Sequence, residues 1–170
     1  PSMIIADAGQ AYEALNLGDI HKATNHLFNL ANSRASTRVV HILHGTPVTA
    51  GFGGSLHTPY RDRTILLVNS IARVVASFLG MRFYRVGDFF LHQLCGIPIG
   101  GPISGAILDL VCLFLEWRYS TAEKVKVTYK PFEYSAGRYV DDTIMLSKCL
   151  CRRCLAGTLR AVYGDTLRFD

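Results

Sequence analysis

The sequence predicts an α+β fold, an antiparallel sheet with helices packed on one face. Three observations carry that expectation. Apolar runs of strand length are interleaved with stretches of helical periodicity, and hairpin-forming turns join some of the strands. Hydrophobic residues make up 49% of the 170 residues and charged residues only 18%, which is enough apolar material for a real core. The length suits one domain and is short for two.

Element by element, Ser2 to Ala6 are apolar and end at Asp7, which predicts a buried strand delivering an acid at its C-terminal end. From Gln10 to Ala31 the pattern is helical, with a break expected at Gly18 and Asp19 as the cap of the second piece. Thr37 to Leu43 is β-branched and strand-like. Gly45 to Tyr60, rich in glycine and proline, reads as a loop. An amphipathic helix is expected from Thr58-Pro59 to about Leu79. Met81–Val86 and Phe89–Leu94 then read as a hairpin closed by Gly87-Asp88. Gly96 to Gly105 (GIPIGGPISG) is the most punctuated stretch, and an apolar helix follows from Ser104 to about Tyr119. Val125–Tyr129, Glu133–Tyr139 and Thr143–Ser147 read as strands, Lys148–Tyr163 as a helix, and Thr166–Phe169 as a last strand.

Eighteen basic and thirteen acidic residues give a net charge of +5, with an isoelectric point near 9.1. The basic residues are scattered, so the excess suits a polyanionic partner and an ordinary solvated surface alike. Five cysteines without framework spacing point to a reducing, intracellular setting, the nucleus included. Neither apolar stretch reaches membrane-spanning form. Ile103–Leu115 is short and carries Asp109, and Ile65–Leu79 is broken by Asn69 and Arg73. The opening proline suggests an internal piece of a longer chain.

The chemistry concentrates in three places. Tyr139-Val140-Asp141-Asp142 sets two repelling carboxylates on a turn between apolar arms, an arrangement that a hard cation would relieve. Asp7 ends another strand, and convergence of the two strands would supply oxygen ligands for paired magnesium ions in phosphoryl transfer. Tyr12, five residues after Asp7, is placed to lie beside a nucleotide sugar and clash with a 2′-hydroxyl. The glycines of the loop from Gln93 to Ser104 allow close backbone approach to a ligand ahead of a helix N-terminus. Taken alone, an Asp-Asp pair is usually a solvated turn.

Together and in this order, the three stretches resemble motifs A, B and C of the reverse transcriptases. The resemblance spans nearly the whole chain, residues 1–170, as one palm domain of a polymerase, with Thr166–Asp170 similar to motif D. It implies an RNA-directed DNA polymerase, a nucleotidyltransferase using an RNA template, a DNA primer and deoxynucleoside triphosphates. Asp7, Asp141 and Asp142 would be the catalytic carboxylates. Asp7 and Asp141 would be the principal ligands of two magnesium ions, which manganese can replace, with Asp142 assisting and the carbonyl of Ala8 within reach. Tyr12 would be the steric gate, and Gln93, Gly96, Pro98, Gly100 and Ser104 would shape the floor under the incoming base and template. The insertion between Asp7 and Gln93, and the Phe89–Glu116 segment, are most similar to Penelope-like retroelements and telomerase.

RNA-dependent RNA polymerases differ. They usually carry a second acid where Tyr12 stands and glycine where Val140 stands. Gly101 and Ile99 depart from the reverse-transcriptase pattern, which commonly has Ser, and Met or Gln, at these positions. Six residues precede Asp7, so the basic fingers and the thumb are expected from the rest of a longer chain or from a partner protein. The alternative is a catalytically silent relative that binds nucleic acid or a protein; a metal-binding α+β domain with coincidental motif matches is a further rival.

Elsewhere, Cys149, Cys151 and Cys154 form a C-x-C-x-x-C cluster in which Cys151 and Cys154 should share a helix face. Free thiols are the more ordinary outcome than zinc there. Gly51–Ser55 lacks the lysine of a phosphate-binding loop. Arg152, Arg153 and Arg160 suit a backbone groove or a solvated helix face. Asp109 and Glu116, seven apart, should share a helix face, with Glu116 seeking a polar partner.

Overall fold

The computed structural model describes residues 1–34, 38–53, 62–122, 134–164 and 166–169. In chain order the elements are β1 (Ser2–Asp7), α1 (Ala11–Ala14), α2 (Leu17–Arg34), β2 (Val39–Leu43), β3 (Thr49–Phe52), β4 (Arg63–Leu67) and α3 (Val68–Gly80). Then follow β5 (Phe83–Val86), β6 (Phe89–His92), α4 (Ser104–Thr121), β7 (Tyr134–Tyr139), β8 (Asp142–Ser147) and α5 (Arg152–Tyr163). Their contacts divide the chain into two compact units. One is Pro1–Ala23 with Arg82–Asp170, and the other is Thr24–Met81.

In the first unit, β1, β8 and β7 form an antiparallel sheet in that order. Alternation along β8 explains which face is covered. Thr143, Met145 and Ser147 are buried, while Asp142, Ile144 and Leu146 are exposed. Helix α5 packs against β1, β8 and α4. It does so through Leu155, Thr158, Leu159 and Tyr163, which recur at helical spacing on one stripe. Burying a leucine such as Leu155 stabilises the packed state by about 1.5–3 kcal/mol. Helix α4 buries Ile107, Leu108, Val111, Cys112 and Leu115. The predicted arrangement, an antiparallel sheet with helices on one face, is the one observed. Strands β5 and β6 pair as the predicted hairpin across Gly87-Asp88.

In the second unit, β2 lies between β3 and β4, antiparallel to both. Here the expectations need correcting. The apolar run Ile65-Leu66-Leu67 belongs to β4, paired with β2, and helix α3 starts only at Val68. Cross-strand pairing overrides the helical pattern that the run shares with the residues after it. The stretch expected as a loop contains β3. The expected helix start at Thr58-Pro59 lies outside the described residues, as do Thr37, Val125–Tyr129 and Glu133.

The break in the first helical stretch also falls elsewhere. Helix α1 ends at Ala14, and Gly18 sits inside α2. Asn16 takes the capping role expected of Asp19, its Oδ1 accepting the Asp19 N–H at 2.8 Å. Asp19 instead accepts from the Thr166 hydroxyl at 2.9 Å. The strand expected at Thr166–Phe169 does not form; only Phe169 pairs, in an isolated bridge with Ala8. No helix among the described residues is long and apolar enough to cross a membrane.

Candidate active site

Three aspartates lie at one end of the β1–β8–β7 sheet. Asp7 closes β1 and is the direct cross-strand partner of Asp142, the first residue of β8. Directly opposed residues in an antiparallel pair project to the same face, so both carboxylates emerge on the face the helices leave uncovered. Asp141 sits in the two-residue connection between β7 and β8, and its carbonyl accepts the Ala8 N–H at 3.1 Å. That bond ties the end of β1 to the turn. Asp7 and Asp142 are exposed and Asp141 is half-buried. Among the described residues, no hydrogen bond or ion pair engages the three carboxylates.

The turn is strained. Val140 has φ 57°, a conformation that a β-branched residue rarely adopts. Such outliers persist where the surroundings over-determine them, and they gather at functional sites. The surroundings here are Arg138. Its Nη1 donates to the Val140 carbonyl at 3.0 Å and to Asp109 Oδ1 at 2.7 Å, while its Nε donates to Glu116 Oε1 at 2.9 Å. Glu116 also accepts from the Tyr163 hydroxyl. Burial alone would weaken the charge of Arg138, but hydrogen bonds to Asp109 and Glu116 outweigh it and hold the guanidinium firmly protonated. Burial, with the bond to Glu116, pushes the Tyr163 phenol well above its usual range. The network joins β7, α4 and α5 behind the turn. The expected shared face of Asp109 and Glu116 is present, and Arg138 is the partner that the sequence did not reveal. Its signal was an arginine two residues before the turn, facing two acids one heptad apart.

The remaining predicted residues lie in α1, in the loop after β6 and at the start of α4. Tyr12 is in α1 and half-buried, and its carbonyl accepts the Ile97 N–H at 2.9 Å. Gly96 donates to the Leu15 carbonyl at 3.0 Å. The glycine loop is therefore stitched to the helix that carries Tyr12. Gly96 has φ +71°, and a Cβ there would lie 2.5 Å from the Tyr12 carbonyl oxygen and 2.6 Å from Glu13 Cα. Glycine is required on both counts. Gly100, at φ +76°, has open space around it. Ser104 is buried, its hydroxyl donating to the Pro98 carbonyl at 2.6 Å, so it braces the loop from within. Gln93 is half-buried, with its N–H on the Arg82 carbonyl. The Ala8 carbonyl accepts the Ala11 N–H at 3.1 Å, which leaves it a second lone pair. Ile99 is exposed.

The donor set suits a hard cation. All three side chains offer oxygen, and among the described residues no base pairs with any of them. Among the described residues no group of three or more His, Cys, Asp and Glu side chains is drawn together as a preformed cage. Magnesium does not require one, since it binds through one or two carboxylates and completes its shell with water and substrate phosphate.

No family model and no curated protein sequence matches this chain. Solved structures do. Telomerase from Candida tropicalis in complex with a TWJ fragment of telomeric RNA matches over 99% of this chain and 24% of that one, with a TM-score of 0.63 and 14% identity. Apo telomerase from the same organism matches over 92% and 24%, with a TM-score of 0.58 and 16% identity. Telomerase from Candida albicans in complex with a TWJ fragment of telomeric RNA matches over 96% and 25%, with a TM-score of 0.57 and 14% identity. The chain has a telomerase-like fold and spans about a quarter of the length of these structures.

Proposed function

We propose that this chain is the catalytic palm of an RNA-directed DNA polymerase. The observation that carries the reading is the pairing of Asp7 with Asp142 across β1 and β8, with Asp141 in the adjoining strained turn, on a telomerase-like fold. The telomerase structures that contain telomeric RNA support a nucleic-acid partner.

In this reading Asp7 and Asp141 would hold two magnesium ions, assisted by Asp142 and the Ala8 carbonyl. Bound there, the ions would supply charge neutralisation for an in-line displacement at phosphorus. The protein's own part is positioning. The loop from Gln93 to Ser104 would support the incoming base pair, and Tyr12 would act as a steric gate against a ribose 2′-hydroxyl, favouring deoxynucleotides. Arg138 keeps the turn in its strained conformation so that Asp141 is aimed before substrate arrives, which is the preorganisation on which electrostatic catalysis depends. The product is a DNA strand one nucleotide longer, with pyrophosphate released.

The test is extension of a DNA primer on an RNA template by the intact parent protein, comparing the unsubstituted protein with Asp141→Ala. Incorporation that disappears in the variant supports the reading. Absence of incorporation by the parent, with RNA still bound, favours the silent nucleic-acid-binding relative instead.

A further inference from the structure

Three exposed cysteines lie where β8 gives way to α5, outside the site described above. Cys149 sits in a turn held by Ser147, whose hydroxyl accepts the N–H groups of Cys149 and Leu150 at 3.0 and 2.9 Å. Cys151 is the N-cap of α5, and its sulfur accepts the Cys154 N–H at 3.4 Å. The sulfurs of Cys151 and Cys154 are themselves 3.4 Å apart. Residues three apart at a helix start lie on one face with Cβ atoms about 5–6 Å apart. Side-chain rotation is therefore enough to bring two such sulfurs to a disulfide's ~2.05 Å.

We propose that Cys151 and Cys154 are a reversible dithiol–disulfide pair, oxidised and reduced by small-molecule disulfides and thiols of the glutathione class. Both sulfurs are open to solvent, and α5 presents the free N–H groups of its first turn to Cys151. Hydrogen bonds from Cys154 lower the Cys151 pKa, whereas the bond to Cys151 and its charge raise that of Cys154. The roles divide accordingly. The Cys151 thiolate attacks one sulfur of the small disulfide, whose S–S bond breaks and releases one thiol. The Cys154 sulfur, losing its proton, then attacks Cys151 and expels the second thiol. Two electrons and two protons pass from the protein's thiols to the reagent, which leaves as two thiols. Cys112 contrasts with the pair, since burial pushes its thiol up to about 11 and keeps it inert. A zinc site would need more ligands, and no group of three or more is assembled among the described residues.

The experiment equilibrates the intact chain with oxidised glutathione and reads intact mass, followed by alkylation and peptide mapping. The expected result is loss of two hydrogen atoms and a crosslink between Cys151 and Cys154, reversed by reduced glutathione. In Cys154→Ser the same treatment should trap one glutathione on Cys151. In Cys151→Ser, which retains a capping oxygen, reaction at Cys154 should slow at least tenfold. The proposal is overturned if the unsubstituted chain forms no intramolecular crosslink, if the crosslink involves Cys149 or Cys95, or if Cys151→Ser leaves Cys154 equally reactive.

Discussion

Arg138 reaches past its own strand to hold the carbonyl of Val140, with Nη1 3.0 Å from that oxygen. The Arg138 side chain is only 12% exposed and pairs with Asp109 and Glu116. A charge-assisted bond of this kind contributes about 1.5–3 kcal/mol. Lysine keeps the charge, but its three donors share one nitrogen, so it cannot reproduce the separated Nε and Nη1 contacts of the guanidinium. Arg138→Lys should therefore reduce primer extension by the parent protein roughly ten- to a hundredfold in kcat, with little change in KM for the nucleotide. A purely structural role would lower the amount of folded enzyme and leave kcat per active site unchanged, which active-site titration measures.

Gly96 and Gly100 share a positive φ but differ in what surrounds them. Alanine at Gly100 meets nothing and should cost about 1–2 kcal/mol, the price of a left-handed non-glycine residue. Alanine at Gly96 would also press on the backbone of Tyr12 and Glu13. Gly96→Ala should lower stability by at least about 2 kcal/mol more than Gly100→Ala, because overpacking adds to strain. Urea unfolding of both variants measures the difference. Equal losses would mean that the contact between loop and α1 relaxes freely.

Asp19 links α2 to the segment after α5. Burial would raise its pKa, but hydrogen bonds from Thr166, Asn16 and Lys22, with the Lys22 charge, outweigh burial and hold it below the usual 3.8. A depressed folded-state pKa contributes stability that is present above the unfolded value and is lost as pH falls through the folded one. Thr166→Val should lower stability at pH 7 by about 1–2 kcal/mol. It should also reduce the part of the stability loss that appears below about pH 4. Unfolding midpoints at neutral and acid pH test both. An unchanged acid slope would show that Thr166 does not set the Asp19 charge.

The aspartate-bearing end of the sheet was legible because its signals are local. The apolar run Ile144-Met145-Leu146 after two acids on a tight turn marks a hairpin arm whatever lies around it. Pairing between distant strands is less legible. The motifs carry no strand register: in the sheet Asp142 is the direct partner of Asp7, and Asp141 is joined to Ala8 through the backbone. The role of Arg138 is not legible locally, because its three acceptors come from the turn and from α4, and only the fold brings them together. In the second unit, β4 runs into α3 with no capping side chain between them, so the apolar pattern gave no sign of the change. Gly18 reads as the break because glycine is the stronger breaker in general, although the Asn16 cap hydrogen bond decides the boundary here.

The central claim is that Asp7 and Asp141, far apart in sequence, act as one site. A double-mutant cycle on primer extension by the intact parent protein measures that claim directly, using Asp7→Asn, Asp141→Asn and the double variant under single-turnover conditions. Residues that act as a unit are strongly non-additive. Each single substitution should cost on the order of a thousandfold, and the double variant should be little worse than either. Multiplying losses in the double variant, or a single variant that retains full incorporation, would contradict the account.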